Sequence, residues 1–531
     1  MKKRQTLKHF LSAVLIALVV PCTQAATNAP NLIDIFNQSL ASDPQWQTYQ
    51  STLLSQKENL PIARALLLPL VAISGSTQYN IRNNRAPIPF SILPNYDKGV
   101  FDYTGNNYAI NLTQPILNFA YWEGFQAAKA NVKQATAIYG AEYQALMIQV
   151  AQAYFNVLEA HDVVDYTISE RQSVTQMYKQ NIERYRVGLG TITDVYNAEA
   201  QLDNIISTEI GAKTNLLNAL EALRAITGQT YTQLAGLKNN IPLKKPNPQN
   251  VEDWVAISLK QNLTILGNRY AVDAAKEVIL EQFGGNIPTV NAIVSNTELY
   301  SGNVGTGKVN ENDTAAGLQI AIPIYSGGAV VANTNQAQFN YQTALSNLEQ
   351  SQRSTAESAR QYYNDVVSGA NQIKSDLEAI RSNSSSLEST IAAFKVGTRT
   401  MTDVLQVQTQ LFNTQVAYAN DLYSYLINIL NLKNAAGTLS PQDLMAINLW
   451  LTSTARLSGY YETPYTESVP NFTPPKQLSP PAITPSPNVQ NLPVFTAQPQ
   501  SQWTTPSTST LPSGALNTPT NGPVVAPDPE S

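Results

Sequence analysis

The chain has 531 residues, of which 43% are hydrophobic and 13% are charged, and its formal net charge is −5 at pH 7. Because an ordinary soluble protein is about 25% charged, this chain is polar but weakly charged, and its net charge gives no indication of a nucleic-acid partner. The single cysteine, Cys22, excludes an intramolecular disulfide and a zinc–thiolate site.

Residues 1–25 have the features of an export signal. A basic start is followed by an apolar run over residues 10–20 and then by small residues up to Ala25. The run is shorter than the ~20 residues that cross a bilayer, so we expect cleavage after Ala25 or Ala26 rather than a membrane anchor. Cys22 follows a proline where a lipidated cysteine needs a small residue, which disfavours a lipid anchor.

The first half of the exported chain predicts a helix, two strands and two further helices. Apolar residues three or four positions apart indicate the helices, and partial alternation indicates the strands. The predicted elements are a helix over 31–61 that ends at Pro61, strands over 66–80 and 99–118, and helices over 121–186 and 192–227.

The second half predicts the same order of elements. They are a helix over 251–282, strands over 287–300 and 314–325, and helices over 330–395 and 402–436. A helix of about 66 residues is near 100 Å long at 1.5 Å per residue. Such a helix needs helical neighbours along its length, as in a coiled coil or a helical barrel.

One segment occurs twice. Residues 185–202 (YRVGLGTITDVYNAEAQL) correspond to residues 394–411 (FKVGTRTMTDVLQVQTQL). Because a spacing of more than 200 residues is too large for a solenoid unit, the duplication predicts two tandem structural halves, residues 26–240 and 241–462.

The duplicated segment predicts a sharp turn between two helices in each half. Its helix-turn glycines are Gly188, Gly190 and Gly397. Asp194 and Asp403 each follow a threonine by three residues, which fits a capping box at the start of the next helix. Capping is therefore one role predicted for both aspartates, and it does not exclude a second.

The strands predict a barrel that several copies share. One chain offers two pairs, four strands in all, whereas a closed membrane barrel needs about eight or more because an open sheet edge cannot exist in lipid. Two copies would give eight strands and an interior filled by side chains, and three would give twelve and an open lumen.

From residue 463 to residue 531 the composition changes to proline, serine and threonine, and about half of the chain's 31 prolines lie there. Such a segment buries too little apolar surface to fold, so we expect a disordered tail. It is either a solvated extension or a segment that contacts the cell wall or a partner.

The chain resembles the TolC-family outer membrane efflux proteins. The resemblance rests on the duplicated VGxxTxTDV turn, on Pro115 and Pro323 at the ends of strands, and on YLINILNLKNAAGTLSPQDL at residues 425–444. It implies a homotrimer with a twelve-stranded barrel in the outer membrane and a long α-helical tunnel in the periplasm. It also implies passive exit of drugs or proteins from an inner-membrane transporter joined through a periplasmic adaptor, with no cofactor.

The resemblance implies a gate at the periplasmic end of the tunnel. Relatives hold the closed state with an arginine and an aspartate at positions that match Arg399 and Asp194, beside Thr193. Where relatives often have a tyrosine, this chain has Phe394, which has no hydrogen-bond donor. The resemblance therefore implies a gate held mainly by Arg399 and more easily opened than in the tyrosine-bearing relatives.

The resemblance also implies a pore constriction near the gate. Relatives can carry two rings of aspartates there, and Asp403 matches the first while Gln406 replaces the second. A ring of carboxylates in a narrow passage favours cations. With a single ring, block by multivalent cations should be weaker.

A trimeric coiled-coil surface fibre or adhesin also has long helices and shared strands, and it is the alternative to the export channel. It predicts one membrane-anchor segment at one end, whereas this chain has two strand pairs within two duplicated halves. No constellation of residues suggests an enzyme.

Overall fold

The computed structural model describes residues 29–84, 99–238, 241–302 and 308–457, all of which belong to one compact unit, residues 1–470. The predicted signal peptide, residues 1–25, and the predicted tail, residues 463–531, lie outside the described residues.

The described part of the first half holds four helices and three strands. They are α1 Leu32–Ser42, α2 Pro44–Ala65, β1 Leu70–Asn84, β2 Gly99–Leu117, α3 Phe119–Arg186, α4 Ile192–Thr227 and β3 Gln233–Leu237. The described part of the second half holds five helices and three strands. They are α5 Val251–Gln261, α6 Leu263–Phe283, β4 Thr289–Ser301, β5 Val309–Ala321, α7 Ala329–Lys395, α8 Met401–Ala435, α9 Pro441–Asn448 and β6 Leu451–Arg456.

The four long helices lie where they were predicted. The predicted bounds of the shorter helices were wrong. The predicted helix over 31–61 is two helices, because Asp43 caps α2 and Pro44 occupies its first position. The same helix passes through Pro61 to Ala65, so the predicted end was wrong. The predicted helix over 251–282 is likewise two, since Asn262 accepts hydrogen bonds from the first backbone N–H groups of α6.

The strands form two sheets. The larger is antiparallel in the order β1-β2-β4-β5, so the two predicted pairs join through β2 and β4. The smaller pairs β3 with β6, and neither of these strands was predicted. The last strand of the larger sheet ends at Ala321 and not at the predicted residue 325.

The main core lies where α3, α4 and α8 pass the first short helix and the β3–β6 sheet. Its largest fully buried side chains include Tyr154, Phe155 and Tyr423. The hydroxyl of Tyr154 donates to the carbonyl of Ala235, and that of Tyr423 donates to Asp162 Oδ2 over 2.7 Å. Buried aromatic side chains whose polar ends are satisfied fix how the helices cross.

The helices extend from this core to two turns. Among the helices in the described ranges, none combines the length and the apolar character needed to cross a membrane.

Candidate functional site

Two sharp turns lie at the ends of the long helical hairpins. The first turn, residues 187–191, joins α3 to α4, and the second turn, residues 396–400, joins α7 to α8. Gly188 has a φ of 75° and Gly397 a φ of 82°. These left-handed conformations favour glycine because it has no Cβ.

The two turns have the same backbone hydrogen bonds. In the first turn, the N–H of Leu189 donates to Arg184 O over 2.8 Å and that of Gly188 to Tyr185 O over 3.0 Å. In the second, the N–H of Thr398 donates to Ala393 O over 3.0 Å and that of Gly397 to the carbonyl at position 394 over 3.1 Å. Both patterns are Schellman motifs, which satisfy the last carbonyls of a helix.

Both predicted capping boxes are confirmed. Thr191 N donates to Asp194 Oδ2 over 3.2 Å, and Asp194 N donates back to Thr191 Oγ1 over 3.1 Å. The corresponding distances between Thr400 and Asp403 are 2.9 and 3.2 Å. Hydrogen bonds from Thr400, followed by the charge of Arg399, lower the pKa of the Asp403 carboxyl. Asp403 is therefore an anion at neutral pH.

Gly190 lies where the first turn passes close to the end of α3, and its backbone is not left-handed. A Cβ added there would lie 3.2 Å from the Cβ of Arg184 and 3.4 Å from Tyr185 N. A larger residue there requires the end of α3 to give way by a few tenths of an ångström.

The remaining predicted gate residues are not joined within one chain. Arg399 and Thr193 are both exposed, and Asp194 is half-buried. In the described part of this chain, no hydrogen bond and no ion pair within 4.0 Å links Arg399 to Asp194.

Phe394 is half-buried and has a cationic neighbour that the sequence analysis missed. The guanidinium carbon of Arg184 lies 4.8 Å from the centre of the Phe394 ring, which is within the range of a cation–π contact. The ring also packs on a small apolar cluster formed by Met401, Val404 and Leu405. A comparison of the two copies of the duplicated segment could have identified Arg184, because Ala393 occupies the corresponding position in the second copy.

The predicted constriction residues lie at the start of α8. Asp403 is half-buried and Gln406, one helical turn further on, is exposed. On the same helix, Thr402 accepts a hydrogen bond of 3.3 Å from Asn197, and Thr409 accepts one of 3.1 Å from Gln201. These bonds hold α4 beside α8 within one chain.

A buried acid lies further from the turns, between α3 and α8. Glu170 is 4% exposed, and its Oε2 accepts a hydrogen bond from Gln408. Burial raises the pKa of Glu170 to about 7, and the bond from Gln408 only partly opposes this. Glu170 thus changes charge near neutral pH, and the sequence analysis did not identify it.

Within the described residues, no group of three or more histidine, cysteine, aspartate or glutamate side chains is close enough to hold a metal ion.

The fold and the turns are shared with known channel proteins. The family described as "Outer membrane efflux protein" matches residues 35–229 and 254–438. Outer membrane protein TolC of Escherichia coli is 33% identical over 451 residues, which cover 82% of this chain and 88% of that protein. TolC of Vibrio cholerae is 32% identical over 84% of this chain and 99% of its own length.

A solved structure agrees with these matches. The CmeC outer membrane channel of Campylobacter jejuni superposes with a TM-score of 0.64 at 19% identity, covering 79% of this chain and 89% of that channel.

Paired long hairpins that end in matched turns, together with these matches, define a channel of the outer membrane for efflux or type I secretion, with its tunnel in the periplasm. The chain belongs to the outer membrane efflux protein family. The predicted family, function and localisation are confirmed.

Proposed function

We propose that three copies of this chain form one channel-tunnel, with a twelve-stranded barrel to which each chain gives four strands. The observation that carries this proposal is the open four-stranded sheet, whose edge strands β1 and β5 have no further partner among the described residues. Apolar residues on these edges are exposed, including Ile73 and Leu318 at 79% and 71%. In lipid, both edges must be paired.

We further propose that the two halves are tandem repeats, residues 26–240 and 241–462, that follow a signal peptide and precede the tail. The order of helix pair, strand pair and long helical hairpin from α1 to α4 recurs from α5 to α8. With three chains, this arrangement gives six similar hairpins around one axis.

The channel gives passive exit to substrates delivered by an inner-membrane transporter through a periplasmic adaptor. TolC-like channels work with such components. One relative, 25% identical over 83% of this chain, is named a proteases secretion protein, PrtF of Dickeya chrysanthemi. Drugs and proteins are both within the proposed substrate range, because the transporter selects the cargo.

The gate of the closed state is Arg399 of one chain bonded to Thr193 and Asp194 of a neighbouring chain. In support of this, Arg399 is exposed and has no ion pair in the described part of its own chain. Asp194 uses Oδ2 for its capping box. A carboxylate accepts several hydrogen bonds, so capping and gating are compatible. Asp403 then forms a single acidic ring beside Gln406.

Native mass spectrometry of the detergent-purified protein tests the assembly. We expect three times the mass of the processed chain. A monomer or a dimer would contradict the shared twelve-stranded barrel.

An export assay tests the function. A strain that lacks its own outer-membrane channel should regain resistance to an effluxed dye, or secretion of a protease, when this chain and matching inner components are expressed. Omission of the adaptor is the control, and export that persists without it would contradict the tripartite arrangement.

A further inference from the structure

Arg184 connects the two turns of one chain. Its carbonyl accepts the N–H of Leu189, and its Nη2 donates to the carbonyl of Leu189 over 3.3 Å, so both ends of this residue are tied to the first turn. Its guanidinium carbon lies 4.8 Å from the centre of the Phe394 ring, on α7 just before the second turn.

The Phe394 ring is itself held in place. It packs on Met401, Val404 and Leu405, which are buried in the first turns of α8. Contacts therefore run from the first turn through Arg184 and Phe394 to the start of α8.

We infer that Arg184 is a positioning residue of the gate, which joins the two hairpins of each chain by a cation–π contact with Phe394 and so holds the mouth closed. This inference rests on the proposed channel and deepens its gate. Phe394, which lacks the hydrogen bond of a tyrosine, still contributes to closure because its ring attracts the guanidinium. A gate formed in this way depends on the ring of Phe394 and not on a hydroxyl group.

The neighbouring Arg186 provides a matched control. It lies two residues from Arg184, is largely exposed, and pairs with Glu183 of its own helix over 2.6 Å. Replacing either arginine by glutamine removes the same charge, but only Arg184→Gln removes the contact with the ring.

The first readout is the current of the full trimer in a planar bilayer. We expect Arg184→Gln and Phe394→Leu each to raise the closed-state current about three- to tenfold, the range expected from a partly exposed cation–π contact. The double variant should exceed neither single variant, since both remove one contact. Arg184→Lys should restore most of the closure, Phe394→Tyr keeps the ring and should not raise the current above wild type, and Arg186→Gln should not change the current.

The second readout is the distance between spin labels at Leu189→Cys and Thr398→Cys, both at exposed positions. The labelled chain is diluted with unlabelled chains so that one labelled chain is present per trimer. Arg184→Gln should lengthen or broaden this distance, whereas Arg186→Gln should not.

An unchanged label distance in Arg184→Gln would overturn the inference, and so would a changed distance without a rise in current when Arg399→Ala does open the channel. If no variant conducts, including Arg399→Ala, the proposed channel gate is rejected. The label distance then decides alone whether Arg184 joins the two turns.

Discussion

The first and second turns have one backbone and two sets of side chains. Both combine a left-handed glycine, a Schellman motif and a threonine–aspartate capping box. The first has Arg184 and Gly190 where the second has Ala393 and Arg399. The two turns therefore share one geometry, but Arg184 contacts the Phe394 ring of its own chain, whereas Arg399 is exposed and forms no ion pair within the described residues.

The two hairpins that end in these turns also differ in which groups lie beside their buried carboxylates. Between α3 and α4, the buried Glu209 is bound by Arg171 Nε at 2.6 Å and by Lys213 Nζ at 2.8 Å. Between α7 and α8, Asp421 faces the buried Asp376 instead of a cation. Burial, followed by a hydrogen bond with Asp376, raises the pKa of Asp421 to about 6. The α3–α4 hairpin thus places two cations against its buried carboxylate, whereas the α7–α8 hairpin places two carboxylates together.

The largest expected effect is on the stability of the α3–α4 hairpin, and it tests this difference in buried charges. Glu209→Ala removes the buried carboxylate that both cations contact, so we expect a loss of about 3–5 kcal/mol in hairpin stability, visible as a lower melting temperature of the helical circular dichroism signal. Asp376→Asn removes one of two carboxylates that repel each other and should leave the melting temperature at pH 7 unchanged or raise it.

Glu221→Ala is the control for Glu209→Ala. Its ion pair with Arg224 is exposed, with N–O at 3.3 Å, and such pairs contribute only about 0–1 kcal/mol. Equal losses in the two variants would contradict the buried triad.

The second effect concerns Glu170, where α3 meets α8. Because the pKa of Glu170 in the folded chain is about 7 against an ordinary value of 4.5, its stabilising contribution is fully present below pH 4.5 and is lost as the pH rises to 7. At about 1.4 kcal/mol per pKa unit, the full loss is on the order of 3–4 kcal/mol. Helical melting should therefore shift to lower temperature between pH 5 and pH 8.

Glu170→Gln should flatten this profile, because an amide can still bond to Gln408 without a charge. Wild type and variant with the same pH profile of melting would place the titrating group elsewhere.

A third comparison concerns the proposed acidic ring. Gln406→Asp adds a second ring one helical turn from Asp403, so half-blocking concentrations of a trivalent cation should fall about tenfold, the equivalent of ~1.4 kcal/mol. Asn197→Asp is the control, because it adds the same charge at the corresponding position after the first turn. Equal block in both variants, measured in planar bilayers, would show that α8 does not line the constriction.

The smallest effect compares the turn glycines. Gly188→Ala and Gly397→Ala place a Cβ on left-handed backbone, which costs about 1–2 kcal/mol, although nothing lies within 4 Å of either new atom. Gly211→Ala, in the interior of α4 and equally open, should stabilise by up to ~1 kcal/mol. A destabilised Gly211→Ala would indicate a neighbour that a single chain does not contain.

Local chemistry explains what the sequence could predict. The long helices, the turns and both capping boxes follow from apolar periodicity and from glycine, threonine and aspartate at fixed spacings, and α4 begins and ends where it was predicted to. The α1–α2 break at Asp43 and the α5–α6 break at Asn262 were missed, because each is a capping side chain inside a continuous helical pattern.

Contacts between distant segments could not be predicted. β3 and β6 pair across more than 200 residues and have no alternating pattern long enough to identify them. The contact of Arg184 with Phe394 and that of Glu170 with Gln408 likewise depend on how the hairpins cross. In both pairs, the residues are unremarkable in sequence and become informative only through burial and distance.

The central claim is that this outer-membrane channel is closed by Arg399 at the turn end of its tunnel. Single-channel conductance of the purified trimer, with wild type compared with Arg399→Ala, tests it directly, and Lys395→Ala serves as the control for loss of a nearby exposed cation. We expect a small, cation-preferring current in wild type and Lys395→Ala that rises sharply in Arg399→Ala. A large current already present in wild type, or equal currents in all three proteins, would contradict the claim.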